Sequence, residues 1–127
     1  CAAKALIDRQ SGELIGICTF TAYSLEKQRV SGVLQGSQPS EIGVVRLVML
    51  GVARKYQKRG FGQDLLCDFF EHVKIIHQAL PIKGVYLDAD PAAINFYARL
   101  GFVQLSATPN AFGAVPMFLA IQHILAA

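Results

Sequence analysis

The stretch QKRGFG at residues 57–62 decides the fold, and it lies between an apolar run and an amphipathic run. Its two glycines follow a predicted strand and precede a predicted helix, so the loop can direct several backbone amides at one anion. The helix N-terminus adds a partial positive charge at the same point, and Lys58 and Arg59 add full charges beside it. The stretch therefore predicts a pyrophosphate-binding loop. The stretch has neither the Gly-Lys-Ser/Thr of a P-loop nor the three glycines of a dinucleotide fingerprint. The alternative interpretation is an ordinary glycine-rich turn with solvated charges.

The composition indicates one compact domain, which we expect to span residues 1–127. Apolar residues make up 53% of the chain and charged residues 17%, which argues against disorder. No apolar run approaches the roughly 20 residues of a membrane span, and the N-terminus lacks a signal-peptide pattern. Cys1, Cys18 and Cys67 show no C-x-x-C spacing, which favours reduced thiols in a cytoplasmic protein over a disulfide or zinc framework. The net charge of +3 is compatible with an anionic cofactor or a nucleic acid.

The pattern along the chain predicts a mixed α/β fold. Gly51 suggests a bulge or a close ligand approach in the third strand, and Asp90 and Gly101 are typical of the start and the end of the second helix. The predicted order is β-β-loop-β-α-β-α-β-β, which implies a mixed sheet with helices on its faces. The predicted strands cover residues 2–8, 14–24, 42–52, 85–88, 102–105 and 115–122, the predicted helices cover 63–78 and 91–100, and residues 25–40 form a polar irregular connection.

A second motif, NFYARLGF at residues 95–102, makes a family resemblance specific. Together with residues 57–62 it resembles the Q/R-x-x-G-x-G/A and N/A-x-x-F/L-Y-x-x-x-G-F signatures of the GCN5-related N-acetyltransferases, the GNAT family. The resemblance implies the GNAT fold, a mixed, mostly antiparallel sheet with helices on both faces and strands splayed at the acetyl-CoA site. The predicted order lacks the strand and helix that open this fold, so we expect an N-terminally incomplete domain.

The resemblance also implies a donor site for acetyl-CoA and no metal. In this family the loop of the first motif holds the pyrophosphate, and backbone groups of the preceding strand hydrogen-bond the pantetheine amides as an added strand would. One of those backbone amides also polarises the thioester carbonyl. The residues expected to bind acetyl-CoA are Leu50, Gly51, Val52, Gln57, Lys58, Arg59, Gly60, Phe61, Gly62 and Asn95.

Tyr97 is the expected catalytic residue. Its phenol has an ordinary pKa near 10, so it is protonated at neutral pH and can donate a proton to a departing thiolate. The alternative is a core aromatic residue, which is also the interpretation we favour for Phe96 and Phe102. The general base stays open, because an amine with a pKa of about 8 is partly neutral at pH 7 and can react without one. The side chains that could act as a base are Glu26, Glu41, His72, His77, Asp88, Asp90 and His123.

The segments TAYSL (21–25), RLVML (46–50) and YQKRG (56–60), and the tail at 109–118, are similar to the acetyltransferase toxins of bacterial toxin–antitoxin pairs. That group acetylates the α-amine of aminoacyl-tRNA, which stops translation, and is neutralised by a ribbon-helix-helix antitoxin; a homodimer is also expected. Gly51 departs from the group, in which alanine is commoner at this position. The basic residues that could contact tRNA are Lys27, Arg29, Arg46, Arg54, Lys55 and Arg99.

Two other functions stay open at this stage. One is N-acetylation of a small-molecule amine or of a peptide or protein N-terminus. A polyamine or aminoglycoside acceptor is disfavoured within that class, because the nine acidic residues form no cluster near the motifs. The other is a non-catalytic acyl-CoA-binding module on the same fold, which would leave Tyr97 idle.

Overall fold

The computed structural model describes residues 1–34 and 36–126 and contains one six-stranded sheet. The strands are ordered β1-β2-β3-β4-β6-β5, and every neighbouring pair is antiparallel except β3 with β4. The elements are β1 Ala2–Ile7, β2 Leu14–Glu26, β3 Glu41–Val52, α1 Phe61–Ala79, β4 Gly84–Ala89, α2 Ile94–Arg99, β5 Val103–Gln104, β6 Val115–Ala120 and α3 Ile121–Ala126, with 3-10 turns at Lys27–Val30, Arg54–Tyr56 and Pro91–Ala93. The expected mixed, mostly antiparallel sheet is therefore confirmed.

The two faces of the sheet carry two separate apolar clusters. Alternate residues of a strand point to opposite faces, so Val45 joins a different cluster from Val44. The larger cluster holds the buried side of α1, where Leu66, Phe69 and Val73 recur at helical spacing as predicted. The buried residues of α2 and α3 also belong to the larger cluster, and the smaller cluster lies under the 3-10 turn Lys27–Val30. The described α-helices therefore pack against one face of the sheet, and helices on both faces, as expected, are not observed.

A row of aromatic rings runs through the larger cluster and joins α2 to α1. The ring centroid of Tyr97 lies 5.6 Å from that of Phe102, and Phe102 lies 6.1 Å from Phe70. The row continues from Phe70 to Phe69 at 5.9 Å, and from Phe69 to Phe20 of β2 at 5.0 Å. The contacts are edge-to-face, stacked or tilted, as aromatic pairs prefer. Tyr97 is therefore packed into the core by several rings in succession.

Strands β3 and β4 separate shortly after they meet. They pair only from Val45–Val85 to Leu47–Leu87, although β3 continues to Val52 and β4 to Ala89. Just beyond the last pair, the register of β3 with β2 shifts so that Val48 has no opposite residue. A bulge of this kind bends a strand and re-aims its side chains. The splayed strands that the family resemblance implies are therefore present.

Four details differ from the sequence-based prediction. The bulge lies at Val48 and not at Gly51, which pairs regularly with Ile17. Gly16, which the prediction did not single out, packs closely against β3, since a Cβ there would lie 2.9 Å from the Gly51 carbonyl oxygen. Strand β2 extends two residues further, to Glu26. The segment at 25–40 is not simply polar, because Leu25, Val30 and Leu34 are buried.

The last predicted strand is wrong over its final two residues. Strand β6 ends at Ala120, and Ile121 begins α3, where its N–H donates to the Lys83 carbonyl oxygen at 2.9 Å. His123 therefore lies on a helix and not on a terminal strand. The apolar run carried no signal for this change, because Ile121 and Ile124 are buried on α3 much as they would be on a strand. Among the described helices, none is long and apolar enough to cross a membrane.

Two strand glycines allow a test of the packing. A Cβ at Gly84 would overlap the Leu119 carbonyl oxygen and lie 2.6 Å from the Phe118 ring, whereas a Cβ at Gly43 meets nothing within 4 Å. We expect Gly84→Ala to lower the free energy of unfolding by about 1–3 kcal/mol. Gly43→Ala should be near neutral or slightly stabilising. Urea unfolding of both variants measures the difference, and equal effects would contradict the assigned packing of β4 against β6.

Candidate active site

The N-terminus of α1 presents unused backbone donors. The first N–H groups of a helix have no partner within the helix, and no side chain caps this one. Gly60 occupies the capping position with a φ of +84°, and Lys58 before it is also left-handed, with a φ of +65°. The chain therefore turns sharply into α1 with its amides open. This arrangement suits an anion, as predicted for residues 57–62.

A cavity of about 610 Å³ lies against these amides and runs between α1 and α2. It is mostly apolar, but two cations, Lys58 and Arg99, line it. Arg99 was expected on a tRNA-binding surface, and the structure places it on the wall of this groove instead. The lining residues are Val52, Tyr56, Gln57, Lys58, Gly60, Phe61, Gly62, Gln63, Phe96, Arg99 and Leu100.

The loop is held in place by side-chain contacts at its start, next to the end of β3. Gln57 donates from Nε2 to the Val52 carbonyl oxygen at 3.0 Å, which ties the loop to the end of β3. Tyr56 is buried, and the guanidinium of Arg59 lies 5.8 Å from its ring centroid. Lys55 also lies over this ring and pairs with Glu13 at 2.8 Å. Arg59 and Lys55 thus pack beside Tyr56 and do not line the groove.

The two glycines of the loop have different reasons to be glycine. Gly60 needs its positive φ, and a Cβ there would project into open space on the groove side. Gly62 has no positive φ and lies within the first turn of α1. A Cβ at Gly62 would lie in ordinary contact, 3.7 Å from the Phe96 ring and 3.8 Å from Val52. Phe96, which was expected in the core, therefore forms part of the groove wall.

A second cavity, of about 260 Å³, fills the wedge between β3 and β4. Leu50 lines the wedge and Val52 lines the groove, so β3 passes from one cavity to the other with Gly51 between them. In the described part of the chain, the edge of β3 that faces β4 has no strand partner after Leu47. Its backbone groups are available to an extended ligand. The lining residues are Leu47, Val48, Met49, Leu50, Leu87, Asp88, Ala89, Asp90, Ala93 and Tyr97.

Tyr97 lies at the wedge with little contact to water. Its residue surface is 9% exposed, and the rings of Phe96 and Phe102 hold its ring at centroid distances of 5.1 and 5.6 Å. Burial, and to a smaller degree the neighbouring Cys18, raises the pKa of Tyr97 above its ordinary value. The phenol therefore keeps its proton at neutral pH. This is the state that a proton donor needs.

Two carboxylates line the wedge, and both are engaged. Asp88 accepts hydrogen bonds from Arg46 at 3.0 Å and from the Tyr86 hydroxyl at 2.8 Å. Asp90 accepts from the Ala92 N–H at 2.9 Å, which confirms its predicted role as the cap of the second helical segment. Either carboxylate retains lone pairs for one further hydrogen bond.

The other candidate bases lie away from the wedge. His77 accepts from the Ile82 N–H at 3.0 Å, so its role is in the turn after α1. His72 packs with its edge against the Phe20 ring at 5.4 Å. Glu26 and Glu41 face each other across the end of β2 and β3. None of these side chains lines the wedge.

The remaining predicted residues fall outside both cavities. Asn95 is exposed on α2 and lines neither of them. Arg29 donates to the Tyr86 hydroxyl at 2.9 Å, so it contributes to the smaller-cluster face of the sheet. Lys27 lines a separate cavity of about 290 Å³, and Arg54 is exposed on the turn before the loop. Within the described residues, no group of three His, Cys, Asp or Glu side chains could hold a metal ion.

Several residues that line the groove or the wedge were not predicted from the sequence. Tyr56, Gln63 and Leu100 line the groove, and Val48 and Met49 line the wedge. Tyr56 and Gln63 flank the glycine loop directly, so their position beside it was an available signal. Val48 and Met49 carried no signal, because their exposure depends on the bulge.

Most of the chain matches a known family of transferases. Residues 4–104 match the acetyltransferase (GNAT) domain family, and the chain belongs to that family. It is an N-acetyltransferase with acetyl-CoA as the donor, in agreement with the open loop and the splayed strands. A comparison with curated protein sequences gave no match.

Solved structures place the chain among toxin-like members of the fold. A crystal structure described as that of a bacterial toxin is 99% identical to it, with a TM-score of 0.97 over 99% of this chain and 70% of the other. A mutant AtaT toxin bound to the C-terminus of the antitoxin AtaR and to acetyl-CoA is 21% identical, with a TM-score of 0.68 over 87% of this chain and 63% of that one. AtaT complexed with acetyl-methionyl-tRNAfMet is 21% identical, with a TM-score of 0.78 over 98% and 73% of the two chains.

The loop geometry predicts a selective effect at Gly60. Gly60 and Gly113 both have a positive φ, +84° and +79°, and neither would bring a Cβ within 4 Å of another atom. Alanine at either position should therefore cost a similar amount of stability, about 1–2 kcal/mol. Only Gly60→Ala should also weaken acetyl-CoA binding, by about tenfold or more in Kd, since its Cβ obstructs the open amides. Calorimetric titration of both variants distinguishes them, and equal acetyl-CoA affinities would refute the loop as the phosphate site.

Proposed function

We propose that this protein is a toxin that acetylates the α-amine of aminoacyl-tRNA and thereby blocks translation. The observation that carries the transferase chemistry is the position of Tyr97 at the wedge, from which β3 leads through Leu50 and Val52 to the groove at the open amides of α1. The near-identity to a chain described as a bacterial toxin supports the toxin role. We take residues 1–127 as a single GNAT domain that acts in the cytoplasm.

The groove and the wedge contribute different parts of the proposed acetyl-CoA site. Acetyl-CoA, when bound, supplies an acetyl group activated as a thioester. The N-terminus of α1, with Lys58 and Arg99, offsets the charge of its pyrophosphate. The unpaired edge of β3 at Leu50, Gly51 and Val52 offers main-chain hydrogen bonds to an extended amide chain.

The proposed reaction uses Tyr97 as the proton donor and solvent as the proton acceptor. The neutral amine forms the new bond to the carbonyl carbon, the carbon–sulfur bond breaks, and Tyr97 gives its proton to the leaving sulfur. The proton of the amine leaves to solvent, and solvent returns a proton to the Tyr97 phenolate before the next turnover. A free α-amine has a pKa of about 8, so the neutral form is available near pH 7 without a dedicated base.

The proposed macromolecular partners are aminoacyl-tRNA, a ribbon-helix-helix antitoxin and a second copy of the chain. Exposed Lys27 and Arg54, together with the net charge of +3, support contact with RNA phosphates. Arg29, Arg46 and Lys55 are already paired within the chain, and any role for them in tRNA binding requires that they exchange partners. The complexes of AtaT with an antitoxin and with an acetylated tRNA support the same partner classes here.

Tyr97→Phe should lower kcat by about 10²- to 10⁴-fold and leave acetyl-CoA affinity unchanged, because proton donation occurs only in the transition state. Since burial raises the pKa of Tyr97, the wild-type rate should show no loss from phenol ionisation as pH rises to about 10. Single-turnover rates across pH measure both effects. A variant that retains most of its rate would make Tyr97 structural.

The acceptor class can be tested with labelled acetyl-CoA and total charged tRNA, followed by identification of the acetylated aminoacyl-adenosine. If tRNA is the acceptor, binding should weaken steeply with salt. Lys27→Ala and Arg54→Ala should each reduce the slope by about one and leave acetyl-CoA affinity intact. Lys83→Ala is the control, because Lys83 precedes β4 at the end of the sheet opposite the wedge. Absence of label on any aminoacyl-tRNA would favour acetylation of a small-molecule amine or a peptide N-terminus.

A further inference from the structure

The bulge in β3 places consecutive side chains around the wedge. Leu47, Val48, Met49 and Leu50 all line the cavity, although a regular strand would turn alternate residues to opposite faces. Leu47 is buried in the larger cluster, whereas Val48 and Met49 remain 52% and 47% exposed. These two residues therefore form an apolar rim at the point where an acceptor must approach.

Strand β4 supplies a polar group across from this rim. The side chain of Asp88 is 23% exposed and lines the same cavity. Its Oδ2 accepts from Arg46 and its Oδ1 from the Tyr86 hydroxyl, which in turn accepts from Arg29. The carboxylate is thus fixed in orientation by contacts from two directions.

We propose that Val48, Met49 and Asp88 form an acceptor subsite that selects an α-aminoacyl group with an uncharged, apolar side chain. Asp88 accepts a hydrogen bond from the α-amine, and the side chain lies against Val48 and Met49. The inference rests on the proposed function, since it specifies the aminoacyl group that the transferase takes from tRNA.

Charge and desolvation explain why charged side chains are disfavoured. A lysyl or arginyl side chain would lose water against Val48 and Met49, and the nearby carboxylate is already paired with Arg46. A glutamyl side chain would lose water in the same way and would also face the Asp88 carboxylate. A buried charge without a partner is costly. An apolar side chain instead removes apolar surface of the rim from water.

The test keeps the tRNA body constant and varies only the amino acid. One tRNA transcript is charged by an acylating ribozyme with glycine, methionine, leucine, glutamate or lysine, and kcat/KM for acetylation is measured for each product. Methionyl- and leucyl-tRNA should exceed glutamyl- and lysyl-tRNA by about tenfold or more. Glycyl-tRNA, which has no side chain for the rim to contact, should be intermediate.

Two variants test whether the rim formed by Val48 and Met49 causes the preference for apolar aminoacyl groups. Met49→Glu should lower the methionyl-to-glycyl ratio of kcat/KM by about tenfold and raise the lysyl-to-methionyl ratio. The control is Val103→Glu, because Val103 is also an exposed strand residue, at 46%, and lines neither cavity. It should leave both ratios unchanged.

The outcomes separate this inference from the function on which it rests. If none of the charged tRNAs is acetylated, the proposed function fails. If they are acetylated at equal rates, or if Met49→Glu changes the ratios no more than Val103→Glu does, the function stands and the apolar subsite is refuted.

Discussion

The separation of β3 from β4 after only three paired residues is the constraint on which the site depends. Continued pairing would have satisfied the backbone groups of both strands and closed the wedge. Because the strands part, the edge of β3 stays open and Tyr97 lines a cavity. The unpaired backbone groups of β3 lie where a ligand can form hydrogen bonds with them.

The Arg46–Asp88 pair lies where the strands part and links them across the smaller-cluster face. Arg46 is next to the last paired residue of β3, and Asp88 follows the last paired residue of β4. Tyr23 and Tyr86 stack beside the pair at a centroid distance of 5.5 Å, and Arg46 lies over both rings. An ion pair that is partly shielded in this way is screened less by salt than an exposed one. It therefore suits a fixed junction better than a mobile contact with RNA.

The local parts of the site were predictable from sequence, and the long-range parts were not. The turn at Gly60 and the cap at Asp90 follow from residue types within one short segment, and both are present. The bulge at Val48 depends on how β2 and β3 align over their whole length, which no single residue encodes. The partners of Arg29 and Arg46 lie more than 40 residues away in the chain, so their charge alone suggested a solvent-facing role. The predicted strand was wrong at residues 121–122 for a similar reason, because burial there does not distinguish a helix from a strand.

The row of aromatic rings has a consequence for the entropy of the catalytic step. Tyr97 is wedged between Phe96 and Phe102, and Phe102 rests on Phe70 of α1, so rotation of the phenol ring would require several neighbours to move together. Dense interiors resist such movement. The phenol ring is therefore held in place before any ligand arrives, and little freedom of the ring remains to be lost as the transition state forms. The hydrophobic core and the proposed proton donor are, in this protein, a single preorganised unit.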